Sequence, residues 1–289
     1  MKIVNKIDDV RAEIKAAKKE NKRIGFVPTM GFLHQGHISL VKIARENSEY
    51  IVMSIFVNKL QFNDLNDFNG YPKDLERDMA MAEEGGVDLL FLPDDKEMYQ
   101  NNLTTVDVNL LTDNLCGASR PGHFKGVFTV VSKLFNIVQP DVALFGQKDI
   151  QQVVSIEKMV FDLNFPIKII VAPIVREKDG LAMSSRNKHL NDKHRKDALA
   201  LSRSLQACRK LVESGERDVI IITDTIRSVI QEGSPDSIDY VSMVRYEDLS
   251  YIEKLEGKAV IAVAAFWGTT RLIDNMIIDK TSNGYTCIY

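Results

Sequence analysis

The stretch that decides the fold lies near the amino terminus, where the chain reads Pro28-Thr29-Met30-Gly31-Phe32-Leu33-His34-Gln35-Gly36-His37. It follows a short apolar run at residues 24–27, which predicts a buried strand. It precedes apolar positions at 38, 40, 41 and 44, which have the spacing of one helix face. The loop therefore delivers a helix N-terminus to the edge of a sheet. Free backbone N–H groups and the positive end of the helix dipole favour an anion there.

The histidines and glycines of this loop indicate which anion it receives. Gly31 and Gly36 lack a Cβ, so a ligand can approach the backbone closely. His34 and His37 add directed donors to a phosphate whose charge grows as a bond to it forms or breaks. An isolated histidine is more often packed or solvated than catalytic, so the loop alone leaves both interpretations open.

Composition narrows the class of protein. The chain has 289 residues, 45% of them hydrophobic, and a net charge of −3, which predicts a globular protein with one large and one smaller domain and no nucleic-acid partner. The basic run Lys193-His194-Arg195-Lys196 is interpreted as a solvated surface. The 3 cysteines are scattered, and neither a signal peptide nor a membrane-spanning run is apparent, so we expect a cytoplasmic protein without membrane contact.

The pattern along the chain alternates strands with helices. An opening helix begins near Ile7, and the alternation predicts βαβ units in a Rossmann-like, mainly parallel sheet with both faces covered. In such a sheet a ligand belongs at the carboxyl ends of the strands. Strand signals lie at residues 24–27, 50–57, 89–92, 142–145 and 167–171, helical patterns at 38–47, 73–85, 127–139 and 149–161, and polar loops at 27–36, 57–70 and 145–152.

The order of predicted helices and strands changes after residue 171. Helical patterns at 198–213 and 219–232 precede strand signals at 238–244, 259–265 and 270–278. Helices followed by strands predict a smaller α+β domain. We therefore expect domains at residues 1–175 and 176–289.

Further polar residues stand at the ends of the predicted strands. Gln61 follows the second strand and can anchor a hydroxyl or carboxylate, although on its own a solvated loop glutamine is the more usual interpretation. Asp78 lies in the first turns of a helix, where complementarity to the helix dipole explains it without a functional role, and it is also suited to orienting magnesium. The segment Arg120-Pro121-Gly122-His123 precedes a helix and has the composition of an anion site or of a tight turn.

Two later segments also carry residues suited to binding phosphate. Lys148 follows a strand and Gly146, with Asp149 as a candidate N-cap and Gln152 one turn into the helix. Ser184, Ser185 and Arg186 lie in a polar loop at the expected domain boundary, where they serve either as a linker or as a closing loop over a triphosphate.

Together these segments make the chain resemble the pantothenate synthetase family, the pantoate–β-alanine ligases of the adenylate-forming nucleotidyltransferase superfamily. Several motifs in the same order are far more specific than any one of them. They are Pro28-Thr29-Met30-Gly31 with His34-Gln35-Gly36-His37, Phe56-Val57-Asn58 with Gln61-Phe62, Arg120-Pro121-Gly122-His123-Phe124, Lys148-Asp149 with Gln151-Gln152, Met183-Ser184-Ser185-Arg186-Asn187, and Arg271-Leu272-Ile273-Asp274-Asn275.

The resemblance implies a role for each matching residue. Met30, Gln61 and Gln152 are expected to hold pantoate, Asp149 the ribose of ATP, and Asp78 to associate with Mg²⁺. His34, His37, Lys148, Ser184, Ser185 and Arg186 are the expected catalytic residues. The full set expected to contact ATP also includes Met30, Gly146, Asp149, Val175 and Met183.

The implied reaction condenses (R)-pantoate with β-alanine through pantoyl adenylate, releasing AMP and pyrophosphate, with residues 176–289 as a lid and a homodimer as the assembly. Lys59 and Ile150 depart from the family pattern, where proline and an aromatic residue are usual. The tail at residues 279–289 has no counterpart in that pattern and is expected to be a floppy extension.

Three other functions compete with this interpretation. A nucleotidyltransferase that adds AMP to a phosphate-bearing cofactor precursor shares the histidine loop, but the two glutamines favour a small hydroxy acid. A non-catalytic nucleotide-binding regulator would lack phosphate-contact residues that are present here. A tRNA-handling role lacks a basic surface.

Overall fold

The computed structural model describes residues 1–63, 68–282 and 284–289. Residues 64–67, within the polar loop predicted at 57–70, and residue 283, within the tail, lie outside the described residues. The chain forms two compact units. One comprises Met1–Gly146 and Ser155–Ala172, and the other comprises Gln147–Val154 and Pro173–Tyr289.

The first unit is built around a parallel sheet. Within the described residues this sheet has six strands in the order β1-β4-β3-β2-β5-β6, and each neighbouring pair is parallel. The order changes direction between β2 and β5, which is where ligands bind in open α/β sheets. The strands are β1 Lys2–Val4, β2 Ile24–Thr29, β3 Tyr50–Ile55, β4 Leu89–Phe91, β5 Val142–Gly146 and β6 Lys168–Ala172.

Helices connect these strands, as the alternation predicts. The helix α2 buries Ile38, Leu40, Val41 and Ala44, the face expected from their spacing. Strand β1 was not predicted, because three residues carry too little periodicity to distinguish a strand. The helices are α1 Ile7–Lys19, α2 Gln35–Asn47, α3 Leu75–Glu84, α4 Asp95–Tyr99, α5 Leu115–Ser119, α6 His123–Val138 and α7 Ile150–Asp162.

The second unit contains an antiparallel sheet and amphipathic helices. The strands β7 Ser237–Arg245, β8 Ala259–Trp267, β9 Thr270–Thr281 and β10 Gly284–Ile288 lie in the order β10-β9-β8-β7. Helices α8 Asp192–Asp197, α9 Ala200–Glu213 and α10 Val219–Glu232 precede them. The inner faces of α9, α10 and the sheet form one buried apolar cluster.

The expectation of a floppy tail is wrong. Most of residues 279–289 belong to β9 and β10, which pair antiparallel from Gly284 with Thr281 to Ile288 with Ile277. Tyr285, Cys287 and Tyr289 alternate along the strand and pack against the apolar cluster of the second unit. The alternation was present in the sequence, but the short segment was too polar at its other positions to indicate a strand alone.

The basic run at residues 193–196 is only partly a solvated surface. It lies in α8, where the exposed Lys193 side chain pairs with Asp197 one turn later and Arg195 pairs with Glu177 and Asp179 at 2.7 and 2.8 Å. These partners lie 18 and 16 residues earlier in the chain, so helical spacing does not reveal them. In the described part of the chain, no helix has both the length and the apolar character needed to cross a membrane.

Candidate active site

The loop between β2 and α2 has an unusual backbone that is held by a distant carboxylate. Gly31 and Phe32 both have positive φ angles, 83° and 49°, a conformation that is costly for a residue with a side chain. The Asp78 carboxylate compensates, because its two oxygens accept hydrogen bonds from the backbone N–H groups of Phe32 and Leu33, each at 2.7 Å. The Thr29 hydroxyl adds a bond from the Gly31 N–H at 3.2 Å.

Asp78 is buried beneath this loop, with 2% of its surface exposed. Burial raises the pKa of its carboxyl, and the backbone hydrogen bonds from Leu33 and Phe32 oppose that shift. A Cβ on Gly31 would lie 2.9 Å from Asp78 Oδ2, so glycine is needed for this close approach as well as for its φ angle. The sequence did not indicate this anchoring role.

His34 and His37 form a reciprocal cap at the start of α2. His34 Nδ1 accepts a hydrogen bond from the Gly36 N–H at 3.1 Å, and His37 Nδ1 accepts one from the His34 N–H at 3.2 Å. The ring centroids are 4.1 Å apart. Because each Nδ1 accepts a hydrogen bond, each neutral ring carries its proton on Nε2, which makes Nε2 the donor.

This arrangement changes the predicted anion site. We expected free backbone N–H groups at the start of α2. Instead, the N–H groups of His34, Gly36 and His37 all have partners within the loop, the last donating to the His34 carbonyl at 2.8 Å. Since the rings occupy these backbone donors, the polar hydrogens that the two rings contribute at this helix start are the imidazole Nε2–H groups.

Gln61 lies in a short 3-10 turn, Lys59–Gln61, with 7% of its surface exposed. Its side chain is oriented by two contacts, because Nε2 donates to Met30 Sδ at 3.0 Å and Oε1 accepts from Asn58 Nδ2 at 3.0 Å. Asn58 is itself held by the Tyr99 hydroxyl at 2.7 Å. Met30 and Gln61, both predicted for pantoate, are therefore in direct contact.

The segment at residues 120–126 supports Gln61. His123 is 9% exposed, and its Nδ1 lies 2.6 Å from the backbone carbonyl of Gln61. Arg120 Nη1 lies 3.3 Å from the other ring nitrogen of His123. A Cβ on Gly126 would lie 2.3 Å from the Leu60 carbonyl oxygen and 2.6 Å from the Gln61 nitrogen, so only glycine permits this packing. The histidine expected near an anion thus fixes a loop, which spacing does not distinguish from ligand binding.

A cavity of about 240 Å³ opens beside this part of the first unit. Met30, Gly31 and Asp78 contribute to its wall together with apolar side chains such as Ile55 and Phe56. The volume is below that of most drug-sized ligand pockets, and the lining also includes Lys73 and the carboxylates of Asp74, Asp94 and Asp95.

In the second unit, Lys148 and Asp149 lie in a 3-10 turn that directly follows β5 and Gly146. Lys148 Nζ is 3.7 Å from Asp149 Oδ1. The side-chain amide of Asn275 on β9 donates to the backbone carbonyls of Gln147 and Lys148 at 3.0 and 2.9 Å, which fixes the turn. Gln152 follows in the first turn of α7 and is half-buried.

The loop with the two serines is closed by backbone bonds. The Met183 N–H donates to the Val175 carbonyl at 2.9 Å. Ser184 Oγ then accepts from the Arg186 N–H at 3.3 Å, so that Ser184 caps a 3-10 turn, Ser185–His189. All four side chains at residues 183–186 are partly exposed. Val175 and Met183, both expected to contact ATP, are therefore joined by a backbone hydrogen bond.

Two ion-pair clusters, which the sequence did not indicate, support this loop. Asn187 Nδ2 donates to Glu177 Oε1 at 2.7 Å, and Arg195 bridges Glu177 to Asp179. Arg176 makes a two-pronged pair with Asp274 at 2.7 and 3.0 Å. Burial raises the pKa of Asp274, and the hydrogen bond from Arg176 opposes that shift.

Within the residues that the structure covers, no group of three or more histidine, cysteine, aspartate or glutamate side chains is placed to hold a metal ion. Asp78 is thus a single carboxylate rather than part of a protein cage. Magnesium bound mainly through substrate phosphates and water needs only one or two protein carboxylates. Both oxygens of the buried Asp78 carboxylate already accept backbone hydrogen bonds from residues 32 and 33, so an ion held there has to share them with the loop.

Comparison with known proteins shows the family of this chain. A family model described as Pantoate-beta-alanine ligase matches residues 2–277. The chain belongs to the pantoate-beta-alanine ligase family. Among curated members, the pantothenate synthetase of Thermoanaerobacter sp. (strain X514) is 54% identical over 278 residues, covering 96% of this chain and 98% of that protein. That of Caldicellulosiruptor saccharolyticus is 50% identical over 280 residues, covering 96% and 100%.

Solved structures of the family have the same fold. Pantothenate synthetase from Thermus thermophilus matches with a TM-score of 0.90 and 42% identity over 95% of this chain and 98% of that one. Pantoate-beta-alanine ligase from Francisella tularensis, complexed with beta-gamma ATP and beta-alanine, matches with a TM-score of 0.77 and 36% identity over 95% and 97%. The predicted fold class, a Rossmann-like parallel domain with a smaller α+β part, is confirmed. Family membership also favours the ligase over the three competing functions.

Proposed function

We propose that this chain condenses (R)-pantoate with β-alanine through a pantoyl adenylate, using ATP and releasing AMP and pyrophosphate. The main support for this reaction is the family match along nearly the whole chain. The two capped imidazoles at the switch point of the parallel sheet are the local feature that suits it.

ATP is a substrate, and its phosphates need charge neutralisation more than they need a nucleophile. We assign Nε2 of His34 and His37 as donors to the polyphosphate, with Lys148 and Arg186 as cations and the hydroxyls of Ser184 and Ser185 as further donors. Met30, Gly146, Asp149, Val175 and Met183 are assigned to the remaining ATP contacts, with Asp149 at the ribose.

Pantoate is assigned to Met30, Gln61 and Gln152. The contacts of Gln61 with Met30 and Asn58 support this, because an amide that is already oriented loses little freedom when it binds a hydroxyl or carboxylate. A pantoate carboxylate oxygen then attacks the α-phosphorus of ATP in line, and the bond from that phosphorus to pyrophosphate breaks.

Mg²⁺ is the ion associated with ATP, and it supplies positive charge to the phosphates when bound. Asp78 is the carboxylate proposed to associate with it. The same carboxylate sets the backbone of residues 31–33, so its effects on the loop and on the ion must be separated by experiment.

In the second step the neutral amine of β-alanine attacks the acyl carbon of the adenylate. The new carbon–nitrogen bond forms, the amine loses a proton, and AMP leaves with the electrons of the broken acyl–oxygen bond. The adenylate hydrolyses if water reaches it, so we propose that residues 176–289 serve as a lid and residues 1–175 as the ATP- and pantoate-binding domain.

The decisive experiment measures exchange of labelled pyrophosphate into ATP with each substrate left out in turn. We expect exchange that requires pantoate and Mg²⁺ but not β-alanine, together with a species of the mass of pantoyl adenylate. Exchange that needs the amine, or that is triggered instead by a phosphate-bearing precursor, would contradict this route.

We further propose a homodimer in the cytoplasm. The family resemblance supports the first, and the cysteines of the described chain form no disulfide, which suits a reducing compartment. Sedimentation equilibrium measures the oligomeric state directly. A monomer at the enzyme concentrations used for assay would contradict the proposed homodimer.

A further inference from the structure

The last strand of the chain lies outside the part that defines the family. The family match ends at residue 277, and β10, Gly284–Ile288, comes after it. The strand is firmly attached, because the Tyr285 hydroxyl donates to the Leu255 carbonyl at 3.1 Å and the Arg217 guanidinium lies 4.4 Å from the Tyr285 ring. The Tyr289 hydroxyl donates to the Leu205 carbonyl at 3.4 Å.

One contact joins β10 to the turn that carries Lys148. The side chain of Gln147 is buried, with 1% of the residue exposed, and its Nε2 donates to the Ile288 carbonyl at 3.0 Å and to Asn275 Oδ1 at 3.3 Å. Asn275 in turn holds the carbonyls of Gln147 and Lys148. Two strands thus fix the turn that carries Lys148. Asn275 on β9 bonds the backbone carbonyls of the turn, and Ile288 on β10 bonds the side chain of Gln147.

A second contact joins the end of the chain to the base of the serine loop. The Arg176 guanidinium lies 5.4 Å from the centre of the Tyr289 ring. The same guanidinium pairs with Asp274 and donates to the Gly180 carbonyl at 3.1 Å. Arg176 also pairs by backbone with Ala182, and the neighbouring Val175 carbonyl accepts a hydrogen bond from the Met183 N–H at 2.9 Å. Cation–π contact with a partly buried ring restrains such a guanidinium.

We propose that β10 and Tyr289 position the two ATP-contacting segments of the second unit by holding Gln147 and Arg176. This rests on the proposed function, since it takes Lys148 and residues 183–186 to contact ATP. Ile288 and Tyr289 act here as positioning residues, because they act on the nucleotide through Gln147 and Arg176. Their loss should therefore weaken ATP binding more than pantoate binding, because Met30 and Gln61, two of the three residues assigned to pantoate, belong to the first unit.

The test compares the full-length chain with a chain that ends at Thr281 and with the pair Tyr289→Leu and Tyr289→Phe. Tyr289→Phe keeps the aromatic face for Arg176, whereas Tyr289→Leu removes it. Thr286→Ala is the matched control, because this residue belongs to the same strand and its side chain is exposed. The readouts are the KM values for ATP and pantoate, kcat, and calorimetric binding of ATP with Mg²⁺ in the absence of pantoate.

We expect the shortened chain to raise the KM and Kd for ATP roughly five- to tenfold, the effect of losing about one net hydrogen bond. The KM for pantoate should change less than about twofold, a difference too small to correspond to a lost hydrogen bond. Tyr289→Leu removes the ring contact but keeps the Ile288 bond to Gln147, so it should shift the ATP values in the same direction by a smaller factor. Tyr289→Phe and Thr286→Ala should follow the full-length chain.

Two results would overturn the proposal. One is a folded shortened chain with unchanged ATP affinity, and the other is an equal loss in kcat and both KM values, which indicates general destabilisation. If the shortened chain does not fold, the two Tyr289 variants decide by the same criteria. Absence of pantoate-dependent exchange in the full-length chain counts against the proposed function instead, and calorimetry of ATP binding still tests the strand.

Discussion

Oδ1 of Asp78 accepts a 2.7 Å hydrogen bond from the backbone nitrogen of Leu33, 45 residues earlier in the chain. With the matching bond to Phe32, it holds a left-handed pair of residues immediately before the two histidines. The helix α3 thereby sets the position of the loop that starts α2. Strained backbone of this kind persists only where the surroundings determine it, and it is concentrated at ligand sites.

Asp78→Asn should separate the roles of this carboxylate. The amide keeps one acceptor oxygen, so one buried backbone N–H loses its partner at a cost of about 1–3 kcal/mol in the free energy of unfolding. We expect a lower urea midpoint and a lower rate of pyrophosphate exchange. If Asp78 also associates with Mg²⁺, the Mg²⁺ concentration for half-maximal rate rises.

Glu76→Gln is the matched control, because it removes one negative charge from an exposed position on the same helix turn. It should leave both measurements unchanged. A Mg²⁺ dependence of Asp78→Asn equal to that of the unaltered chain would limit Asp78 to the loop.

The two nitrogens of His37 can be tested apart. An asparagine amide occupies about the place of Nδ1, and a glutamine amide about the place of Nε2. Because we assign phosphate contact to Nε2, His37→Gln should keep more exchange activity than His37→Asn. His37→Ala should lower turnover by about 10²- to 10³-fold, the usual effect of losing one preorganised donor.

His194→Ala is the control for this series, since His194 lies on α8 outside the proposed site. An alanine variant at position 37 with an unaltered rate would remove this histidine from the mechanism. Greater activity in the asparagine variant than in the glutamine variant would assign His37 to capping alone.

Arg195→Met should reduce stability in a way that depends on pH. The hydrogen bond from Arg195 lowers the pKa of Asp179 below its ordinary value. A carboxyl with a lowered folded-state pKa adds stability above its unfolded pKa, and this contribution is lost as the pH falls through the folded-state pKa. The difference in urea midpoint between the variant and the unaltered chain should therefore be largest near neutrality and shrink in acid.

Lys193→Met provides the comparison, since it removes a charge from the exposed side of the same helix. Its effect should be small. If the urea midpoint of Arg195→Met stays below that of the unaltered chain by the same amount at every pH, lost packing rather than the lost ion pair accounts for the destabilisation.

The sequence carries the local information in this fold and little of the long-range information. The apolar face of α2 and the strand before it follow from spacing, which is why the histidine loop was placed correctly at a strand–helix junction. Asp78 was expected near magnesium, but its bonds to residues 32 and 33 depend on packing between elements that are distant in the chain. The strand β10 is not predicted from the sequence for the same reason. Its stability comes from pairing with β9 and from packing on the apolar cluster of the second unit.

Gly126→Ala should weaken pantoate binding selectively. The new Cβ would meet the Leu60 carbonyl at 2.3 Å and the Gln61 nitrogen at 2.6 Å, so the turn that carries Gln61 must move. Overpacking of this kind costs about 1–3 kcal/mol. If half of that cost falls on the pantoate site, the KM for pantoate rises roughly two- to tenfold. The Kd of ATP, measured without pantoate, should change little, because the histidine loop has its own anchor in Asp78.

Gly257→Ala, at an exposed glycine with open space around it, controls for the added methyl group. Equal losses for pantoate and ATP would mean that the first unit as a whole has been disturbed, and the assignment of Gln61 to pantoate would then lose its support.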